Sequence, residues 1–342
     1  MQRPFLIVVL FCLASPAHGQ VASAQTPPII DMHLHAHRVP PGALECVGAT
    51  FLPVDPGADA TSLPSASAGR WSVSHERLHS CPDTLRSPDS DDENMQTTLA
   101  ILERYNIRAV TSGALSKVLE WKAAAPDRII PAIECCVPFF VSPDSMRALI
   151  SSGTITVMGE VSNQYFGVTP SDTSLEPYFA VAEELDVPVG IHMGLGPVGV
   201  AYTSGYPEDR ARFGDPLSLE EALVRHPKMR VYVMHAGWPM LDQMIAVLYA
   251  HPQVYVDVGV ISWLLQRGEF HRYLRRLLEV GFGKRVMFGS DQVFWPDAIP
   301  IAIEAIESAD FLTEQQKRDI FYNNAARFLR LSQEEIAAHH GN

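Results

Sequence analysis

The chain has 342 residues, of which 47% are hydrophobic and 19% charged. It carries 39 acidic and 26 basic side chains, which gives a formal net charge of −13 at pH 7. A chain of this length can bury one large core, and barrels of alternating strands and helices often run to about 250 residues as one domain. The acidic balance repels phosphate backbones, so we expect no nucleic-acid partner.

The amino-terminal segment has the features of a secretory signal peptide. Arg3 precedes an apolar run over residues 5–14, which is too short to cross a bilayer at about 1.5 Å per residue. Small residues at 17–19 and 22–24 offer cleavage sites. We expect a cleaved signal peptide within residues 1–24, with a mature terminus near Gln20 or Gln25 according to which site is used. The mature protein would then be periplasmic or secreted, without membrane contact after cleavage.

Two histidines follow a short run of apolar residues near the new terminus. His33 and His35 end the segment 28–35, which reads as a β-strand. Residues two apart on a strand share a face, so the two imidazoles project from the same side. Neutral imidazole is a ligand for zinc and neighbouring divalent cations. The pair predicts a metal site, and two solvated histidines at a strand end are the alternative at this point.

Residues 38–90 are rich in Pro, Gly, Ser, Ala and Asp and show no clear periodicity. So long an irregular connection within a domain is commonly a lid, a binding loop or a disordered insert. Because it follows the histidine pair, we interpret it as a lid-like insertion, and we expect its His75 and His79 to be solvated loop residues.

The cysteines are placed for structural roles. In an oxidising compartment Cys46 and Cys81 would form a disulfide that staples the insertion. The neighbouring Cys135 and Cys136 are expected as buried thiols. No pair has the spacing of a cysteine zinc site.

Beyond residue 91 helical patterns alternate with short apolar strands. Helices are predicted over 91–105, 114–125, a segment after Ser142, 175–185 and a segment around 241–248. Strands are predicted, after 28–35, at 107–110, 128–133, 155–161, 187–192, 230–235, 254–258 and 285–289. Continuous apolar runs are typical of parallel strands buried on both faces. Eight such units predict an α/β fold, a (β/α)8 TIM barrel in a single domain over 25–342.

Ionisable residues fall at the carboxyl ends of the predicted strands, where such barrels place their active sites. His33 and His35 end the first strand. The later strand ends carry Glu160, His192, His235 and Asp291. Each residue alone could be structural, but six that converge after apolar strands are best explained by a bound cation.

With these residues the chain resembles the amidohydrolase superfamily, specifically the amidohydrolase-related branch that includes aminocarboxymuconate-semialdehyde decarboxylase-like enzymes. The resemblance covers about residues 29–329, including the closing segment 322–329. It implies a metal-dependent barrel in which His33, His35, His192 and Asp291 are ligands. His235 matches a histidine that orients or polarises water or substrate and could also bind metal. Glu160 is either a carboxylate that bridges two cations or a structural residue beneath one.

The resemblance implies hydrolysis of an amide, ester or lactone bond of a small molecule by a zinc-activated water, with one or two cations per chain. Asp291 would move the proton of that water. A decarboxylase or hydratase of a small carboxylic acid is the alternative, since related enzymes run that chemistry. Several decarboxylating relatives carry glutamate in place of the first histidine, so His33 favours hydrolysis. A catalytically inactive metal-binding barrel is the third possibility, and a homo-oligomer is compatible with the sequence.

Residues that follow the catalytic strands could line a substrate pocket, with loop packing as the alternative for each. They are Asn163, Gln164, Tyr165, Tyr202, Trp238 and Trp295. The segment 194–199 is glycine-rich but lacks the Lys-Ser/Thr ending of a phosphate-binding loop, so we interpret it as a flexible active-site loop.

Overall fold

The structure is a computed structural model that describes residues 26–48, 83–135, 141–197 and 199–341. Its strands are β1 Ile29–His35, β2 Leu44–Val47, β3 Asp83–Arg86, β4 Ile107–Ser112, β5 Ile129–Cys135, β6 Val157–Val161, β7 Val189–His192, β8 Val231–Met234, β9 Val254–Asp257 and β10 Val286–Met287. Eight of them form one sheet in the order β1-β4-β5-β6-β7-β8-β9-β10. Every neighbouring pair in that order is parallel. The predicted (β/α)8 barrel is confirmed.

Backbone hydrogen bonds bring the last strand back to the first. The Met32 N–H donates to the carbonyl of Phe288 at 2.9 Å. Just beyond the strand ends, the Asp291 N–H donates to the carbonyl of His33 at 2.6 Å. These bonds gather the carboxyl ends of the strands around one rim, so the residues that end the strands can meet.

Helices follow the strands around the barrel. They are α1 Asp91–Arg104, α2 Leu115–Ala124, α3 Pro143–Ser151, α4 Glu176–Glu184, α5 Glu220–Arg225, α6 Leu241–Ala250, α7 Ile261–Leu264, α8 Arg267–Glu279, α9 Ala298–Glu307, α10 Glu314–Arg318, α11 Asn324–Leu329 and α12 Gln333–His339. Ser90 caps α1 by accepting a hydrogen bond from the Glu93 N–H, and acidic residues fill its first turn. None of the helices in the described ranges is long and apolar enough to cross a bilayer.

The core has two parts, because successive strand residues face opposite sides. On β1, Ile29 belongs to the cluster between strands and helices, whereas Ile30 and Met32 belong to a second cluster. That second cluster includes Tyr232 of β8. A Cβ atom on Gly190 would lie 2.4 Å from Cζ of Tyr232, so the Tyr232 ring occupies space that only a glycine leaves open.

The segment predicted to be irregular over 38–90 contains regular structure near its ends. Strands β2 and β3 pair as an antiparallel two-stranded sheet in which Cys46 lies opposite Thr84. The prediction of irregular structure is therefore wrong at these residues. The carbonyl of Ala43 accepts a hydrogen bond from the Trp295 indole at 3.0 Å, which ties this sheet to the chain after β10. Residues 49–82, including His75 and His79, lie outside the described residues, and the lid remains a prediction.

Cys46 and Cys135 are each disulfide-bonded. The prediction that Cys135 is a free thiol is therefore wrong. The Cys46–Cys81 pairing remains a prediction, because Cys81 lies outside the described residues. The proposed signal peptide also lies outside them.

Candidate metal centre

The six residues predicted from the strand ends are brought together at the carboxyl rim of the barrel. His33 and His35 lie on β1, Glu160 on β6 and His192 at the end of β7. His235 follows β8, and Asp291 comes a few residues after β10. The side chains of His33 and His35 are only 1% and 2% exposed. Strand-end topology, which collects residues distant in sequence, produces this cluster.

Four donor atoms form the first half of the cluster. Nε2 of His33 lies 3.1 Å from Nε2 of His35. Oδ1 of Asp291 lies 3.7 and 3.2 Å from these two nitrogens, and Oε2 of Glu160 lies 3.8 and 3.4 Å from them. Ligands bonded to a zinc ion at about 2.0–2.2 Å in a tetrahedron lie roughly 3.4 Å apart. The donor separations therefore fit a divalent cation.

The second half of the cluster begins at the other oxygen of Glu160. Oε1 of Glu160 contacts Nδ1 of His192, and that nitrogen lies 3.2 Å from Nε2 of His235. Nδ1 of His235 lies 3.0 Å from the carbonyl of Gly259 and donates to it, which leaves Nε2 with its lone pair. The carboxylate of Glu160 thus lies between two histidine pairs, with one oxygen toward each.

A second layer of polar residues orients the histidines. Nδ1 of His33 lies 3.3 Å from Oδ2 of Asp257. The other oxygen of Asp257 accepts hydrogen bonds from the His235 and Gly259 N–H groups at 3.2 and 2.8 Å. Nδ1 of His35 lies 2.9 Å from the Ser112 hydroxyl. Metal-binding histidines usually have such a partner on the second ring nitrogen, which fixes the ring and its tautomer.

A further pair, His37 and Glu134, adjoins the cluster on the side of β5. The His37 ring stacks on His35 with centroids 4.3 Å apart, and its Nε2 contacts Oε1 of Glu134. The same oxygen lies 3.5 Å from Nδ1 of His35. Atoms of these three residues could also hold an ion.

Backbone features around the centre leave room for His33. A Cβ atom on Gly259 would lie 2.7 Å from Nδ1 of His33, and one on Gly289 would lie 2.9 Å from its Cβ. His235 and Asp291 adopt positive φ angles of 58° and 47°. This region is unfavourable for residues other than glycine, and such strain commonly occurs at functional sites.

The carboxylates around the centre favour the protonated forms of the β1 histidines. Burial opposes the charged form of both, but Asp291 and Asp257 raise the pKa of His33 well above its ordinary value. Hydrogen bonds that His35 donates to Asp291 and Glu134 raise the pKa of His35 to about 9. A site that attracts protons this strongly is electrostatically suited to a cation in their place.

The pKa values of Glu160, Asp291 and His235 are also shifted from their ordinary values. Burial opposes the ionised form of both carboxylates, but the charges of His192 and of His33 lower the pKa values of Glu160 and Asp291 respectively. Burial, with the charge of His192 as a second cause, lowers the pKa of His235 to about 4. At neutral pH the carboxylates are anionic and His235 is neutral, which are the states that bind metal.

The predicted pocket residues have different locations. Tyr165 is buried, and its ring lies 5.1 Å from that of His192. Asn163 and Gln164 are buried in the turn after β6, whereas Tyr202 is 54% exposed. Trp295 is buried against the Ala43 carbonyl, and the Trp238 indole donates to Glu269 at 3.2 Å. Tyr165 is thus the member of this set that contacts the centre.

Sequence reasoning missed three residues that contact the centre from the remaining strands. Ser112, Glu134 and Asp257 lie at or next to the ends of β4, β5 and β9. A signal for them was present, because each lies at a strand end in the same way as Glu160 and His192.

The family of the chain follows from a match that includes this whole centre. The amidohydrolase family model matches residues 30–331. The chain belongs to the amidohydrolase family. The match spans all six rim residues of this amidohydrolase, and the family is metal-dependent, in agreement with the converging donor atoms.

Solved structures with a similar fold include both hydrolases and decarboxylases. An uncharacterised TIM-barrel protein from Bordetella bronchiseptica is 17% identical, with a TM-score of 0.58 over 92% of this chain and 100% of its own. A probable 2-pyrone-4,6-dicarboxylic acid hydrolase from Acinetobacter baumannii is 14% identical, with a TM-score of 0.55 over 89% and 99%. The 2,6-dihydroxybenzoate decarboxylase from Rhizobium is 12% identical, with a TM-score of 0.54 over 89% and 99%.

Among curated proteins, this amidohydrolase is similar to Protein fluG of Emericella nidulans. The two are 20% identical over an alignment of 166 residues that covers 44% of this chain. The matched region spans only 18% of that much longer relative.

Proposed function

We propose that this amidohydrolase is a metal-dependent hydrolase that cleaves an amide, ester or lactone bond of a small molecule. The observation that carries the proposal is the position of Glu160, whose two oxygens face separate histidine pairs. This arrangement supports two cations that share one carboxylate. His33, His35 and Asp291 would hold the first, and His192 and His235 the second.

The donor set supports zinc as the cation. Four imidazoles and two carboxylates are ligands that zinc accepts at the observed separations, and no thiolate takes part among the described residues. A zinc ion bound here would lower the pKa of water to about 7 and polarise a carbonyl group.

The protein's own groups would then handle the proton and orient the substrate. Asp291 is ionised and lies at the rim, so it can take a proton from the attacking water and return it to the leaving group. His235 is neutral and held by the Gly259 carbonyl. In a one-cation arrangement, its Nε2 would instead orient water or substrate, and Glu160 would be structural.

A decarboxylase or hydratase of a small carboxylic acid is the second candidate, supported by the fold shared with the Rhizobium decarboxylase. His33 favours hydrolysis, since several decarboxylating relatives have glutamate at the corresponding place. An inactive metal-binding barrel is the weakest candidate, because all six rim residues are present.

Activity on a matched panel tests the proposal. Zinc-loaded protein would be assayed on lactones, aryl esters and anilides, and separately on hydroxybenzoates with detection of released carbon dioxide. We expect turnover in the first group that is lost on chelation and restored by zinc. Carbon dioxide release without hydrolysis would show that the protein is a lyase and not a hydrolase.

We also propose that the protein is exported after signal cleavage and acts on a small molecule without nucleic-acid or membrane partners. The apolar run after Arg3 and the acidic composition support this proposal.

A further inference from the structure

A loop after β7 lies beside the candidate metal centre. Its base is closed where the Gly194 N–H donates to the carbonyl of Gly214 at 2.8 Å. A Cβ atom on Gly214 would lie 1.8 Å from the carbonyl oxygen of Gly194, so the close approach requires glycine. From this base the loop carries Tyr206, whose ring lies 5.0 Å from that of Tyr165. Tyr165 in turn contacts His192, which connects the loop to the centre.

The same loop buries a carboxylate that the mechanism does not use. Asp209 is 7% exposed, and its side chain makes no hydrogen bond or ion pair with any residue of the described ranges. The guanidinium of the adjacent Arg210 donates to the backbone carbonyls of Pro207 and Asp209 and forms no ion pair with the Asp209 carboxylate, although its charge acts on that carboxylate. The carboxylate oxygens of Asp209 are not fully enclosed, so a cation that enters the site can reach them. A largely buried carboxylate is stabilised when a cation pairs with it.

The backbone holds Asp209 next to the tyrosine pair, because the Asp209 N–H donates to the carbonyl of Tyr206 at 3.1 Å. Burial raises the pKa of Asp209, while the charges of His192 and Arg210 act on it in the opposite direction. Burial also raises the pKa of Tyr165, and the charges of Glu160, Asp291 and Asp209 raise it further. Asp209 therefore adds negative charge beside a tyrosine that already lies near two carboxylates.

We propose that Asp209 is a specificity residue that binds a cationic amine of the substrate, with Tyr165 and Tyr206 as the aromatic wall. This inference rests on the proposed function. An ammonium group would pair with the buried carboxylate and pack on tyrosine faces. Within the described ranges, no lysine or arginine forms a hydrogen bond or ion pair with any of the six rim residues. This part of the site therefore has no cationic side chain to pair with a substrate carboxylate.

Three hydroxamic acids on the same alkyl chain test the inference, because the hydroxamate binds the metal whichever reaction the enzyme runs. One ends in an amine, one in an acetylated amine and one in a carboxylate. Dissociation constants would be measured by calorimetry on zinc-loaded wild type, Asp209→Asn and the control Glu208→Gln, which removes an exposed neighbouring carboxylate. Zinc content and thermal melting would be recorded for each protein.

We expect wild type to bind the amine at least about tenfold more tightly than the acetylated compound and the carboxylate most weakly. Asp209→Asn should abolish the preference for the amine at unchanged zinc content, and Glu208→Gln should retain it. If wild type binds the three compounds equally, or binds the carboxylate most tightly, the inference is overturned. This outcome needs only the wild-type protein, so it holds even if the variant does not fold, and it does not contradict the proposed hydrolysis. Loss of zinc in Asp209→Asn without a change in preference would make Asp209 a positioning residue for His192 and would also overturn it. Absence of hydroxamate binding to zinc-loaded wild type would contradict the metal site itself.

Discussion

Glu160 and His192 are in direct contact between Oε1 of the carboxylate and Nδ1 of the imidazole. The other oxygen of Glu160 lies 3.4 Å from Nε2 of His35. One carboxylate therefore connects histidines from β1 and β7, which are far apart in the sheet order. Two cations that share one carboxylate require a connection of this kind.

The number of metal ions per chain should depend on Glu160. Glu160→Gln keeps the shape but replaces one oxygen with an amide N–H₂, which cannot bind a cation. We expect zinc to fall from about two ions per chain toward one. Elemental mass spectrometry of gel-filtered protein would measure the number of zinc ions per chain. Glu269→Gln is the control, since Glu269 pairs with Arg272 and Trp238 and not with a rim residue. Unchanged stoichiometry would make Glu160 a structural residue.

Asp291 should matter more for rate than for metal content. Asp291→Asn retains an amide oxygen that can still bind the cation but loses the proton acceptor. We expect kcat to fall by about 100-fold or more while most of the zinc remains. Both quantities would be measured on one preparation beside Asp297→Asn, an exposed carboxylate of the same loop. Equal loss of zinc and rate would show that Asp291 acts only as a ligand.

Zinc affinity should rise with pH. In the metal-free protein the pKa of His35 is about 9 and that of His33 is also raised, so both are protonated at neutral pH. Zinc binds the neutral imidazole and must displace these protons. Below pH 9 the affinity should therefore increase about tenfold per pH unit for each proton released. Competition with a calibrated chelator between pH 6.5 and 8.5 measures this slope, and a flat profile would contradict the charged state of the β1 histidines.

The strand-end residues were predictable because a closed parallel sheet gathers every strand end at one rim. An apolar run that ends in an ionisable residue, such as the run before His192, indicates both the strand and its contribution to the site. Asp257 has the same signal and was missed. Asp209 could not be predicted, since its position depends on a loop closed by Gly194 and Gly214 and not on a periodic pattern.

The errors within the fold have similar causes. Strands β2 and β3 are four residues each and pair across a long connection, so neither leaves a clear period-two pattern. Cys135 was interpreted from its neighbour in sequence, whereas disulfide pairing is decided by distance in space.

Export can be checked on the amino terminus. If residues 1–24 are a signal peptide, protein recovered from the periplasm or medium should begin near Gln20 or Gln25. Mass spectrometry of the intact protein, followed by non-reduced peptide mapping, would locate that terminus and test the Cys46–Cys81 pairing. An intact amino terminus on cytoplasmic protein would contradict export, and free thiols at both cysteines would contradict the pairing.

The central claim is that the rim residues hold a divalent cation on which turnover depends. His33→Ala removes a ligand from the first donor group. The neighbouring Gly259 and Gly289 have no side chain that could replace it. The most direct measurement compares zinc content and hydrolysis rate of wild type and His33→Ala before chelation, after chelation and after zinc is restored. We predict that wild type loses and regains activity in proportion to zinc, and that His33→Ala binds less zinc and stays at least about 100-fold slower. Full activity of His33→Ala in metal-free buffer would contradict the assignment of this site.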